Sequence, residues 1–161
     1  TTFLNAILKE VPEAERILTI EDTREVKPIQ LNHLPLLASK GEQGAARVSV
    51  EDLLQASLRL RPDRIFLGEI RGPEAYSFLR AVNTGHPGSI TTVHADTPAG
   101  AWEQLALMVM QAGLGLRREE IISYIRSVVP IIIQLRKIGG WRGVTEIYFN
   151  KMPEWKAKSK S

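Results

Sequence analysis

Cysteine is absent from all 161 residues, which excludes a disulfide framework and any thiolate metal site. Aromatic residues are scarce at 6%, so aliphatic side chains must fill the core. No apolar run approaches the ~20 residues of a membrane-spanning helix. The most apolar stretch, residues 128–135, is interrupted by Pro130. No signal-peptide pattern, internal repeat or low-complexity segment stands out. Neither sign of charge dominates: 21 Lys and Arg oppose 18 Asp and Glu, and Lys151, Lys156, Lys158 and Lys160 carry much of the +3 excess. The body is therefore near neutral, unlike the basic face of a nucleic-acid module, and direct nucleic-acid binding is not expected.

What is present is a globular balance of 43% apolar and 24% charged residues, which excludes a disordered or fibrous chain. The length suits one domain over residues 1–150, followed by a loose basic tail over 151–161. The chain opens on Thr1-Thr2-Phe3-Leu4 in mid-pattern and reads as a piece of something larger.

Leu4, Ile7, Leu8 and Val11 recur at helical spacing, and Pro12 closes that helix. Residues 16–22 form a buried strand delivering Glu21 and Asp22 at its tip. No clean period holds from Thr23 to Val48, which reads as a long surface connection with a short hairpin inside, His33 lying on the surface. Ser49 can cap a helix with Asp52 as its capping-box partner. Ile65-Phe66-Leu67-Gly68-Glu69 is a second buried strand ending in an acid, and Pro73 suits the first turn of the next helix. Residues 89–93 form a third strand ending at His94. Helices over 101–111 and 118–127 come next, then strands over 131–135 and 144–149 joined through a glycine-rich turn. Helices alternating with apolar strands predict an α/β fold with a mostly parallel sheet covered by helices, ending in a β-hairpin. Such sheets place ligands beyond the carboxyl ends of their strands, where Glu21, Asp22, Glu69 and His94 fall.

Glu69 reads two ways: as an acid that holds magnesium through water or orients an attacking water, or as a strand-end carboxylate paired with Arg71 or Arg64. Glu21 and Asp22 point to opposite faces, so at most one faces a site, and both could equally belong to a solvated charge cluster. His86, in a turn cluster, and His94 are either structural or phosphate-sensing imidazoles. Arg47, Arg59, Arg61, Arg64, Arg71 and Arg80 supply guanidinium forks that match phosphate oxygens or serve surface ion pairs. Arg61 precedes Pro62, which predicts an extended backbone at Arg61.

Together these segments resemble the secretion (traffic) ATPases of bacterial type II and type IV systems, a RecA-like family. Residues 16–25 (RILTIEDTRE) resemble its Asp box, 61–71 (RPDRIFLGEIR) its Walker B segment with glutamate at the acid position, and 83–95 (NTGHPGSITTVHA) its His box. The helix over 101–111 and the absence of a tetracysteine zinc insert point to the type IV secretion and conjugation branch. The family's phosphate loop, G-x-x-x-x-G-K-[ST], is not among these residues; Thr1-Thr2-Phe3 resembles the stretch immediately after its lysine. The chain thus looks like the C-terminal ATPase portion, and alone it is expected to bind ATP poorly.

The resemblance implies a RecA-like core using ATP and Mg2+. It makes Glu69 and Glu21 catalytic acids and Arg61 a catalytic arginine near the γ-phosphate. Thr1 becomes a magnesium ligand together with Glu69, and Thr1, Thr2, His86, His94 and Arg47 nucleotide-binding residues. It further implies a homo-hexamer in the cytoplasm, peripheral to the bacterial inner membrane, working with other secretion components to drive substrate export or pilus assembly. A non-catalytic RecA-like scaffold and a DNA-translocating motor are the competing functions.

Overall fold

All five residues of β1 (Ile17–Glu21) are buried, which is why that run shows no polar alternation. The computed structural model describes residues 1–39 and 47–150, so the tail expected over 151–161 lies outside the described residues. The chain divides into two compact units, Thr1–Val93 and His94–Ser161, a division that the one-domain reading over 1–150 does not draw.

The first unit is built on a parallel sheet of order β2-β1-β3-β4, with β2 spanning His33–Leu37, β3 Arg64–Leu67 and β4 Ile90–Thr91. β1 pairs with β2 on one side and β3 on the other, Thr19 standing opposite both Pro35 and Phe66. On one face, Ile17 and Phe66 pack with Leu4 and Leu8 of α1 (Thr2–Leu8) and with Val11 and Val26. The opposite-pointing set, Leu18, Ile20, Ile65 and Leu67, is equally buried. α2 (Val50–Ser57) packs against β1, β2 and α3 (Glu74–Asn83). Each such aliphatic or aromatic side chain removed from water contributes ~1.5–3 kcal/mol. The expected capping box starts α2: Ser49 Oγ accepts from Asp52 N at 3.1 Å, and Asp52 Oδ2 accepts from Ser49 N at 2.8 Å. It is worth ~1 kcal/mol.

β2 corrects the reading of residues 23–48 as an irregular surface connection. It is an edge strand, which is where a proline such as Pro35 costs no ladder bond. The short hairpin expected in that segment is reduced, among the described residues, to one antiparallel bridge, Ser39 with Val48.

The second unit holds α4 (Pro98–Met110), α5 (Arg118–Val128) and an antiparallel hairpin of β5 (Ile131–Ile138) and β6 (Trp141–Phe149). Thr97 Oγ1 accepts from Gly100 N at 3.0 Å and starts α4. Buried Trp102 meets Tyr148 of β6 edge to face at 5.5 Å and takes Arg126 over its ring at 5.9 Å. The hairpin is longer than expected, pairing out to Ile138 and Trp141 around a Gly139-Gly140 turn.

Candidate active site

Because β1, β3 and β4 run parallel, their carboxyl ends share one edge. Glu21 is the last residue of β1, Asp22 comes directly after it, and Glu69 lies two residues beyond β3. The two acids of β1 part ways as the strand geometry predicts: Glu21 is buried and Asp22 exposed.

Glu21 is 5% exposed. Its Oε1 accepts from the backbone N–H groups of Glu25 at 3.0 Å and Val26 at 2.8 Å. Its Oε2 is buried and has no hydrogen-bond partner among the described residues. A half-satisfied buried carboxylate is costly, and native proteins keep such groups where a bound water, ion or ligand completes them. Gly68 makes room for it. A Cβ there would stand 3.3 Å from Glu21 Cγ, so any larger residue presses on the carboxylate.

Glu69 is held from two directions. Arg71 Nε donates to Glu69 Oε2 at 2.8 Å while its Nη1 reaches Asp22 Oδ2 at 3.0 Å, so one guanidinium ties together the acids beyond two strands. The Glu69 hydrogen bond, foremost, raises the Arg71 pKa above its ordinary value. Thr92 Oγ1 donates to Gly68 O at 2.6 Å and Ile70 N to Thr92 O at 3.0 Å, fixing the turn that carries Glu69. Arg71 is thus the partner that the ion-pair reading of Glu69 offered. Arg64 is committed elsewhere, to Glu15.

Thr1 caps α1 by position, without a side-chain cap bond, and donates its hydroxyl to Glu25. Asn5 Nδ2 donates to Glu25 O at 3.1 Å, so α1 is tied to the segment that also wraps Glu21. Thr1, Glu25 and Glu21 therefore form one connected set, and Thr2 is exposed at the first position of the helix. Arg47 is exposed and lines an open groove of about 700 Å3 together with Asp22, Thr23, Ala38 and Ser39. Glu25 and Arg71 carry more of this geometry than their sequence positions suggest. Their signal was proximity alone, four residues after Glu21 and two after Glu69.

Arg61 and His86 lie elsewhere. Arg61 precedes β3, and His86 sits in the loop between α3 and β4, so both are at the amino-terminal edge of the sheet. His86 Nδ1 donates to Ala81 O at 2.8 Å, and Ser89 Oγ, which donates to His86 O, accepts from Ile65 N near the start of β3. The extended backbone expected at Arg61 is not found: its φ is +51°, the left-handed region. The reason is local. Arg59 N and Leu60 N still bond back to Ala56 O and Ser57 O, and the chain must reverse within Arg61 to place buried Pro62 and enter β3. His94 opens the second unit and is exposed.

The amino edge is cross-tied by charge. Arg16 Nε donates to Leu60 O at 2.9 Å, and Arg64 pairs with Glu15. The Arg64 hydrogen bond lowers the Glu15 pKa, and a hydrogen bond from Ser49 does the same for Asp52. A depressed folded-state pKa stabilises above the unfolded value and is lost as pH falls through the folded one. Urea midpoints should therefore be flat from neutral pH down to about 5 and fall below about 4, the ordinary carboxylate range. The destabilisation caused by Glu15→Gln should shrink over the same acid range. An equal loss at pH 3 and pH 7 would remove the ion pair as its source.

The oxygen donors at the carboxyl edge suit a hard cation. Among the described residues no three His, Asp or Glu side chains converge as a metal cage. Mg2+ needs none, since it takes one or two protein oxygens and fills the rest with water and substrate phosphates. The Thr1 hydroxyl, the Glu69 carboxylate and the unpartnered Glu21 oxygen fit that chemistry.

Known proteins are similar to this chain in both sequence and fold. Residues 1–138 match the family described as "Type II/IV secretion system protein". The chain belongs to this family. It is 46% identical over 152 residues to the type IV secretion system protein VirB11 of Bartonella henselae, covering 93% of this chain and 43% of that protein. It is 41% identical to protein VirB11 of Agrobacterium fabrum, covering 92% and 44%. The crystal structure of the VirB11 ATPase from the Brucella suis type IV secretion system, in complex with sulphate, superposes with a TM-score of 0.84 at 33% identity, covering 99% of this chain and 47% of that one. The α/β fold read from the sequence is thus that of a VirB11 ATPase, and the type IV branch is the right one. The chain spans less than half the length of the relatives it matches.

Proposed function

We propose that this chain is the part of a type IV secretion motor that carries the hydrolytic carboxylates for Mg-ATP. The observation that carries the reading is Glu21: a buried carboxylate with one oxygen saturated by backbone donors and the other unpartnered, on the same sheet edge as Glu69. Family membership supports the ATPase class.

In this reading the two backbone N–H bonds to Oε1 hold the Glu21 side chain at a set angle, and Oε2 accepts from the attacking water and orients it. Glu69 fixes the position of that water, and Arg71 holds Glu69 until phosphate charge competes for the guanidinium. The Thr1 hydroxyl and Glu69 are the residues that would hold Mg2+, which when bound neutralises charge on the phosphate oxygens. Catalysis here is positioning plus electrostatics, with little covalent chemistry for the protein to perform. Arg47 beside Asp22 and the imidazoles of His86 and His94 are assigned to sensing the nucleotide. Thr2 is assigned to the phosphate end of α1, and Arg61 to a neighbouring subunit's site. The assembly is a homo-hexamer, cytoplasmic and peripheral to the inner membrane, coupling turnover to export or pilus assembly with other secretion components.

The test uses the full-length protein. Phosphate release from ATP should require Mg2+ and stop on chelation. A full-length preparation that binds its partners but releases no phosphate would replace this reading with a scaffold.

A further inference from the structure

The β5–β6 hairpin ends in a patch to which the proposed function assigns no role. At its tip Ile138 stands directly opposite Trp141, and both are more than half exposed, at 58% and 56%. One step behind them Lys137 stands directly opposite Arg142. Like charges facing each other across a strand pair destabilise it. Neither cation has an ion-pair partner among the described residues, and both are exposed. Arg136 adds a third cation, donating to the Asp96 backbone oxygen at 2.6 Å. From Leu135 to Thr145 the chain contains no acid.

The indole is also held. The Trp141 ring lies where a side chain on residue 143 would begin, so only glycine there leaves the ring its place. That leaves a rigid apolar pair at the extremity and a collar of cations immediately behind it.

We propose that this hairpin tip is a contact site for an anionic lipid surface. Tryptophan and isoleucine enter the headgroup boundary, where an amphipathic ring is most stable, while Lys137 and Arg142 meet the lipid phosphates. The anionic surface relieves the like-charge pair that water leaves unrelieved. A nucleic acid fits less well, since isoleucine has no π face and a single indole offers only one stacking platform. The inference rests on the membrane-peripheral part of the proposed function and gives it a location. It draws nothing from ATP hydrolysis.

The experiment is co-sedimentation of the full-length protein with phosphatidylcholine vesicles, with and without phosphatidylglycerol. The wild type should bind the anionic vesicles and release as salt rises, because the attraction decays within a Debye length. At ~1 kcal/mol per cation near such a surface, Lys137→Glu combined with Arg142→Glu should weaken binding at least about thirtyfold. Trp141→Ala should weaken it severalfold, and Lys137→Arg with Arg142→Lys should restore it. Phosphate release without lipid should be the same in all of these proteins, so loss of the ATPase reading would show separately. Equal vesicle binding by wild type and the charge-reversed protein would overturn the tip assignment while leaving a peripheral protein. Absence of wild-type binding to anionic vesicles would overturn the lipid contact altogether. Displacement by duplex DNA with the same variant dependence would transfer the patch to a nucleic acid. A change of oligomeric state in the variants, with vesicle binding intact, would transfer it to a second copy of the chain.

Discussion

In the full-length protein, Glu69→Gln should lower kcat for ATP hydrolysis by two orders of magnitude or more, while ATP binding stays equal or becomes tighter. The substitution keeps the size and planarity of the side chain and removes its charge. Loss of a positioned carboxylate that handles a proton or an attacking water costs ~10²–10⁴ in rate. Binding should survive because Glu69 is an anion and contributes no attraction to phosphate. Arg71, relieved of its ion pair with Glu69, becomes more available to the nucleotide. Steady-state phosphate release and nucleotide titration on the same preparation separate the two effects. A mutant that turns over at the wild-type rate would leave Glu69 as the anchor of an ion pair and nothing more.

The second large effect concerns Arg61. It is exposed, has no ion pair among the described residues, and stands before β3, whereas Glu69 stands after it. The four residues of β3 alone span ~13 Å at ~3.3 Å each, which places its guanidinium beyond reach of the Glu69 of its own chain. In the proposed hexamer, the phosphate it serves is that of another copy. Arginines supplied across a boundary contribute ~10³–10⁵ in rate, and lysine cannot reproduce the planar fork. Arg61→Lys should therefore lower kcat per subunit at least tenfold with the assembly intact by light scattering. Arg61→Gly adds a control. A non-glycine residue in the left-handed region costs ~1–2 kcal/mol, so glycine should hold or raise stability while still losing activity. Wild-type turnover by an assembled Arg61→Lys protein would make Arg61 a structural residue.

Much of this architecture is legible from residues alone, for identifiable reasons. β1 and β3 announce themselves because strands covered on both faces must be apolar throughout, and an acid ending such a run has few places to go except the strand tip. β2 hides because an edge strand is half exposed and tolerates Pro35, so neither periodicity nor composition marks it. The hairpin extends past Leu135 because ladder hydrogen bonds are made by the backbone, so Arg136 and Lys137 continue the ladder without apolar side chains. At the site, burial of Glu21 is a consequence of its strand. Its two backbone donors come from a turn that no period encodes. The double hold of Arg71 joins residues 49 positions apart along the chain, a distance that local pattern does not span. The edge on which His86 falls was available from topology, since a loop leading into a parallel strand lies at the amino end. The conformation of Arg61 was not, because the helix end before it overrides the preference set by Pro62.

The two carboxylates of the site differ in stiffness. Glu21 is the last residue of a central strand and pairs with Leu37 of β2, so displacing its backbone means opening the sheet. Glu69 rides on a turn braced by the two-residue edge strand and by an arginine that is 66% exposed, so local opening there is cheap compared with global unfolding. One acid is anchored in the sheet and the other on a turn beside it. In the proposed motor, nucleotide arrival and departure would shift the turn-borne acid while the strand-borne one keeps its bearing, so a stroke begun at this edge would leave the core undeformed.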